Sequence, residues 1–162
     1  MSGFEFAPLQ RSGQQLSEGE SIGILCEQTR GVLSVIGDGG YPYGSPMNHY
    51  YNSEDGCLYF HCGKIGHRLR GLDRSDKVSY CVLDGGSRTE GDWAYTVRSV
   101  VVFGRAEVID DVSKVAHICR LLSLRFTYDL DYIEGEISAA AHKTLLIRLT
   151  PEHICGKTVT EK

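Results

Sequence analysis

Short runs of β-branched, aromatic and other apolar residues alternate with glycine-rich turns along the chain, and this alternation most constrains the fold. Six segments have the composition of strands: residues 31–36, 43–51, 57–61, 77–83, 93–110 and 145–149. A polar loop separates segment 77–83 from segment 93–110. The latter is the longest of the six and suits one or two strands. Because the first three strands follow one another through tight turns, they are predicted to form an antiparallel meander. Together the segments predict a mainly β protein, a small β-barrel with peripheral helices.

Helical signals lie between and beside these strands. Ser17 and Glu20 have capping-box spacing and predict a helix over residues 18–28. Three further helices are predicted over residues 66–73, 111–126 and 132–142. Pro151 is expected to end the last strand, since proline cannot donate a hydrogen bond to a neighbouring strand.

The length of 162 residues suits one domain with its own core. Residues 1–16 are polar and rich in glycine and glutamine, which favours an N-terminal arm. Residues 17–157 are assigned to the single domain, and residues 158–162 to a C-terminal tail.

The charge balance of the chain argues against nucleic acid as a binding partner. The formal net charge is −4, whereas a general nucleic-acid binder normally carries a basic surplus. No apolar run approaches the roughly 18 residues of a membrane span, and the N-terminus has no signal-peptide pattern. We therefore expect no nucleic-acid or membrane partner and a cytoplasmic location.

The six cysteines give no sign of a metal centre. None forms a Cys-x-x-Cys pair, and several lie within apolar segments, so buried free thiols are favoured over disulfides. His61 and His67 have no neighbouring carboxylate or cysteine pair that would complete a metal site. No metal ligand is assigned.

Residues 41–51 and 58–68 gather aromatic side chains, histidines and a cation on two predicted strands and the turn that follows. His67 and Arg68 come after a glycine-rich turn at a predicted helix start, where backbone N–H groups and the helix dipole favour an anion. The arginine fork fits phosphate oxygens. The pattern indicates a flat, anionic, aromatic ligand, the alternative being an ordinary solvated arginine.

His61 ends a strand whose alternation places it on the same face as Tyr59, opposite Leu58 and Phe60. A histidine there could hold or protonate a ligand, or be a structural histidine bonded to the backbone. Trp93 and Tyr95 suit apolar packing, an interface, or a cover over a planar ligand.

An ordered string of motifs resembles the Nim (5-nitroimidazole resistance) family, part of the pyridoxamine 5'-phosphate oxidase-like, FMN-binding split-barrel group. The motifs occupy residues 29–35, 40–48, 58–62, 66–69, 77–82 and 98–106. The resemblance implies a six-stranded antiparallel split barrel that forms a homodimer with FMN at the interface. It further implies reduction of a small-molecule substrate, a nitroimidazole in this family, by hydride or electron transfer through the flavin.

The resemblance also implies roles for residues along the flavin. The isoalloxazine edge would be lined by Pro46, Met47 and Asn48. The ring and ribityl chain would be followed by His61, Cys62 and Gly63, with His61 the candidate catalytic residue.

Two groups of residues complete the implied site. His67 and Arg68 would hold the FMN phosphate; many relatives have lysine where this chain has Arg68, and arginine keeps the charge. The partner subunit would contribute Trp93, Tyr95 and Ser99.

Two alternatives to an FMN-dependent oxidoreductase stay open at this point. One is a haem-binding or haem-degrading split barrel with His61, His67 or His153 as axial ligand. The other is a flavin-binding protein without turnover. The sequence has no dinucleotide fingerprint that would name the electron donor.

Overall fold

The computed structural model describes residues 5–161. Its helices are α1 (Glu18–Glu27), α2 (His67–Arg74), α3 (Val112–Ser123) and α4 (Leu130–Ala140). Its strands are β1 (Arg30–Ile36), β2 (Pro42–Asn48), β3 (Tyr50–Asn52), β4 (Cys57–Gly63), β5 (Lys77–Leu83), β6 (Tyr95–Ile109) and β7 (Thr144–Glu161). Short 3₁₀ turns occupy Ser12–Gln14, Asp38–Gly40 and Ala141–Lys143.

All seven strands belong to one antiparallel sheet in the order β2-β1-β5-β6-β7-β4-β3. The sheet curls into a half-barrel around one main core, which α1 covers with the buried side chains Ile24 and Leu25. The prediction of a mainly β split barrel with peripheral helices is confirmed. Burial of this apolar surface is the main force that stabilises the curled sheet.

The strand count is seven rather than six because the segment predicted as one strand, 43–51, breaks at His49. The His49 side chain is fully buried, and its backbone N–H donates to the Thr29 carbonyl at 3.1 Å. Strand β2 therefore pairs with β1, whereas β3 pairs with β4 at the opposite end of the sheet. The predicted three-stranded meander is wrong for the same reason.

Strand β7 also departs from expectation, because it passes through Pro151 and continues to Glu161. The register shifts there: Phe103 pairs with His153 but Gly104 pairs with Pro151, which leaves Glu152 as an additional residue. Such a bulge accommodates a proline, since one ladder hydrogen bond is already interrupted. Residues 158–161, expected in a tail, pair with residues 95–98.

The ends of the chain are partly described. Within the predicted N-terminal arm, Gln15 forms a bridge with Lys157 on β7, and residues 1–4 lie outside the described part. Lys162 of the predicted tail also lies outside it.

The capping box predicted for α1 is confirmed. The Glu20 N–H donates to Ser17 Oγ at 3.3 Å, and the Ser17 N–H donates to Glu20 Oε2 at 2.8 Å. Two backbone donors at the helix start are thereby satisfied, which fixes where α1 begins.

Strand β4 divides the molecule into two apolar layers. Leu58, Phe60 and Cys62 face the barrel core, whereas Cys57 and Tyr59 face a second cluster formed with α3. The alternation predicted for Tyr59 and His61 thus directs His61 toward the α3–α4 side. In residues 5–161, no helix combines the length and the apolar character needed to cross a membrane.

Candidate functional site

The predicted ligand-binding segments meet where the end of β2 approaches the end of β4. A cavity of about 360 Å³ opens there, lined by Arg30, Pro46, Met47, Asn48 and His61. We call this place the β2–β4 rim, and it includes Arg68 at the adjacent start of α2. Although β2 and β4 stand near opposite ends of the sheet order, the curl of the half-barrel brings them into contact.

The rim has two cations, Arg30, which is exposed and bonds Asn48, and Arg68, which is partly buried. The Nη1 of Arg68 lies 2.9 Å from Ser45 Oγ and 2.6 Å from Met47 Sδ, so the guanidinium reaches across to β2. Its Nε is buried without a hydrogen-bond partner, and within residues 5–161 no carboxylate forms an ion pair with this side chain. A half-buried arginine left without a counter-charge is costly, and an anion at the rim would relieve that cost.

The start of α2 adds further donors. Gly66 precedes the helix with φ 145°, a conformation that side chains rarely adopt, and no side chain caps the first turn. Nothing in the described chain lies within 4 Å of a side-chain position at Gly63 or Gly66, so both glycines border open space. Uncapped N–H groups beside open space are the arrangement that binds phosphate at helix starts.

The other basic residues of α2 have different surroundings. Arg70 and Arg74 both bond to Asp38, and the hydrogen bonds from Arg74 and then Arg70 lower the pKa of that carboxyl. His67 is exposed, with its Nδ1 2.7 Å from an Arg70 nitrogen and 3.4 Å from an Asp38 oxygen. Arg68 is therefore the helix cation that remains available to a ligand.

His61 lines the rim cavity and is exposed, and its imidazole makes no hydrogen bond within the described part of the chain. Partial desolvation of the ring, and then the nearby Arg68 charge, lower the pKa of His61 below its usual value. The imidazole is therefore neutral at pH 7 and can both donate and accept a hydrogen bond.

Cys62 and Met47 are buried in the barrel core, so their side chains support the rim from inside. Desolvation raises the pKa of the Cys62 thiol, which keeps it protonated and unreactive at neutral pH. Pro46 is exposed and Asn48 is partly exposed at the cavity.

Two rim residues, Arg30 and Ser45, were not predicted from the sequence. Arg30 donates from Nε to Asn48 Oδ1 at 2.9 Å, which fixes the orientation of that amide. Ser45 is buried and bonds Arg68. The alternation along β2 could have placed Ser45 beside Met47, but nothing in the sequence shows that Arg68 reaches them.

A buried hydrogen-bond network around His49, which we call the seam, lies behind the rim. His49 Nε2 is 2.8 Å from the Leu25 carbonyl, and its Nδ1 is 2.8 Å from the Tyr80 hydroxyl, which also lies 3.0 Å from the Met47 carbonyl. Burial lowers the pKa of His49 to about 4. In the neutral ring, Nε2–H donates to the Leu25 carbonyl and Nδ1 accepts the Tyr80 hydroxyl hydrogen, so the seam ties His49 to α1 and β5.

Trp93, Tyr95 and Ser99 do not line the rim cavity of their own chain. Trp93 and Tyr95 are exposed, and Ser99 borders a different cavity beside Phe103 and His153. Any contribution of these residues to the rim requires a second copy of the chain.

The comparisons with known proteins agree with this architecture. Residues 17–158 match the family model described as pyridoxamine 5'-phosphate oxidase. A search of curated protein sequences found no significant match.

Three similar solved structures illustrate the fold. A proposed 5-nitroimidazole antibiotic resistance protein of Bacteroides thetaiotaomicron is 20% identical, with a TM-score of 0.74 over 90% of this chain and 87% of that one. An FAD-binding protein of Mesorhizobium loti is 23% identical, with a TM-score of 0.66 over 92% and 97%. The flavocytochrome Anf3 of Azotobacter vinelandii is 18% identical, with a TM-score of 0.70 over 95% and 73%.

Proposed function

The chain belongs to the pyridoxamine 5'-phosphate oxidase family, and we propose that it is a flavin-binding oxidoreductase that holds FMN at the β2–β4 rim. The observation that carries the proposal is Arg68, a half-buried guanidinium without a counter-charge beside an uncapped helix start. A phosphate group would satisfy both features at once. A phosphorylated ligand explains this arrangement better than a neutral one.

The remaining rim residues suit the ring of a flavin. Pro46 and Asn48 border the cavity on one side and His61 on the other, and Arg30 orients the Asn48 amide. An amide and a neutral imidazole can hydrogen-bond the polar edge of the ring, while Pro46 offers an apolar surface. Buried Met47 and Cys62 give these groups a rigid base.

When bound, FMN would supply hydride or electron transfer to the substrate. The chain itself would bind the phosphate through Arg68, orient the ring, and exclude water. His61, the proposed catalytic residue, would hold a proton or a substrate oxygen near the ring without adding charge, because its pKa is lowered. Reduction of a nitroimidazole is our finer proposal, and the fold shared with the Bacteroides protein supports it.

A homodimer completes the proposal. On the outward face of the sheet, cross-strand pairing aligns one residue from each of five strands in a row: Pro46, Val32, Cys81, Val101 and Cys155. Exposed apolar side chains extend this face, and Val32 is 39% exposed. A contiguous apolar face marks an interaction surface. Because Pro46 belongs to both the row and the rim, a second copy on this face would border the flavin and could bring Trp93, Tyr95 and Ser99 to it.

Replacement of Val32 with Asp tests the dimer. A charge in the centre of the face should convert a dimer to a monomer in analytical ultracentrifugation and weaken FMN binding about tenfold or more. Val108→Asp, at an exposed position near the end of β6, is the matched control and should change neither property. A wild-type monomer that binds FMN tightly would refute the interface.

We place the protein in the reducing cytoplasm. All six cysteines are free thiols, and Cys57 and Cys62 are buried in the two apolar layers. This pattern suits a compartment in which disulfides are rare.

A haem-binding role is the second candidate, favoured by the exposed, unbonded His61 and by the fold shared with a flavocytochrome. The other histidines fit it less well, because His67 contacts Arg70 and Asp38, and His153 stacks on Phe6. Haem titration should give a Soret band that His61→Ala abolishes if this candidate is correct.

The direct test is titration of the purified protein with FMN, followed by flavin fluorescence. We expect saturable binding with one FMN per chain, and a yellow protein. Turnover with NADH or NADPH and a 5-nitroimidazole would identify an enzyme, whereas tight binding without turnover would identify a flavin carrier. No FMN binding would overturn the proposal.

A further inference from the structure

A second cavity, of about 250 Å³, lies between α3 and α4 and reaches His61 from the side away from the barrel core. We call it the α3–α4 cleft. Because His61 also lines the rim cavity, the two cavities share this side chain. A molecule in the cleft would therefore contact the same imidazole as a molecule at the rim.

The shape and lining of the cleft suit one small ring. Its volume lies below the range of about 300 to 1,000 Å³ that is typical of drug-sized ligands. Ile133 and Ile137 form apolar walls, and Tyr132, 60% exposed, offers an aromatic surface at the wall. An aromatic ring against Tyr132 would gain both apolar burial and stacking.

The charge of the cleft selects among such rings. Glu134 is paired with Arg120, an ion pair that joins α4 to α3. Glu136, two residues farther along α4, lines the cleft and has no ion-pair partner within residues 5–161. An unpaired carboxylate favours a cationic group and disfavours an anion.

We propose that the α3–α4 cleft binds a single-ring aromatic molecule that carries a cationic nitrogen, and that it is a substrate subsite of the flavin site that favours such a ring over a neutral nitroimidazole. Tyr132 stacks on the ring, Glu136 meets the cation, and His61 contacts the end of the molecule nearest the rim. The assignment as a substrate subsite rests on the proposed FMN site, whereas the binding of the ring itself does not.

Three single-ring probes of different charge test the charge selection: benzylamine, benzyl alcohol and benzoate, titrated by NMR against the protein. We expect affinity to fall in that order. Glu136→Gln should weaken benzylamine about threefold to fivefold and leave benzyl alcohol unchanged, since an exposed ion pair contributes modestly. Equal affinities for benzylamine and benzoate would overturn the proposed selectivity.

Substitution of two surface tyrosines tests whether the probes bind in the α3–α4 cleft. Tyr132→Ala should weaken all three probes about fivefold or more, because it removes the stacking surface. Tyr128→Ala is the matched control: Tyr128 is 88% exposed and does not line the cleft, so its loss should have no effect. Equal effects of the two substitutions, or no benzylamine binding to the wild type, would refute the cleft as a binding site.

FMN titration of the same proteins separates the two proposals. Normal FMN binding without benzylamine binding would refute the cleft alone. Benzylamine binding without FMN binding would refute the rim as a flavin site, and with it the role of the cleft as a substrate subsite. If both are correct, benzylamine should perturb the absorption spectrum of bound FMN in wild type and not in Tyr132→Ala.

Discussion

The rim and the seam behind it differ in how completely their polar groups are satisfied. In the seam, buried His49 has a partner at each ring nitrogen. At the rim, the exposed His61 imidazole has no hydrogen bond in the described chain, and Arg68 keeps a buried nitrogen without a partner. Satisfied buried groups stabilise a fold, whereas unsatisfied ones beside a cavity are available for a ligand. The comparison separates a structural histidine from a candidate functional one.

The largest predicted effect is a loss of folding stability in acid, caused by protonation of His49 in the seam. His49 has a pKa of about 4 in the folded protein and 6.5 when unfolded, so it is neutral in the fold and gains a proton on unfolding in weak acid. Its contribution is fully present above pH 6.5 and is lost as the pH falls toward 4, about 3 kcal/mol in all. Urea unfolding between pH 7 and pH 4 measures this loss.

The control for the acid effect is His49→Gln, which removes the titrating group. This variant should be less stable at pH 7, because its amide cannot reproduce both ring bonds, but it should lose less stability between pH 7 and 4. If wild type and variant have the same pH dependence, the ring of His49 is not a buried neutral group in the folded protein.

Loss of the Arg68 cation should be the next largest effect. Arg68→Ala should weaken FMN binding about thirtyfold, roughly 2 kcal/mol, because it removes charge-assisted bonds to phosphate. Arg70→Ala removes a cation that Asp38 already pairs, and it should change the affinity by less than about threefold. Similar losses in both variants, followed by flavin fluorescence, would indicate general charge attraction rather than a phosphate site.

The smallest effect should be that of His61 on stability. His61→Ala should change the free energy of unfolding at pH 7 by about 0.5 kcal/mol or less, since the ring is exposed and unbonded. The same urea experiment on His49→Ala should give a loss of about 3 kcal/mol. Comparable losses would remove the distinction between the two histidines.

Local chemistry made much of the fold predictable. The capping box at Ser17 located α1, and the glycine before His67 located the start of α2. The β4 alternation correctly separated Tyr59 from Phe60. In each case the signal lies within a few residues of the structure that it specifies.

The features that sequence reasoning missed depend on distant partners. The predicted strand is interrupted at His49 because Leu25 and Tyr80 hold its ring, and no turn residue marks the position. Strand β7 continues past Pro151 because the opposing β6 tolerates a bulge at Gly104. The reach of Arg68 to Ser45 likewise follows from the curl of the sheet and not from any local pattern.

The ratio of FMN affinity to riboflavin affinity tests the central claim most directly, because the two flavins differ only in the phosphate. We predict that the wild-type protein binds FMN at least about thirtyfold more tightly than riboflavin, and that Arg68→Ala reduces this ratio to about threefold or less. Equal affinities for the two flavins in the wild type, or an unchanged ratio in the variant, would contradict the assignment of Arg68 to the phosphate.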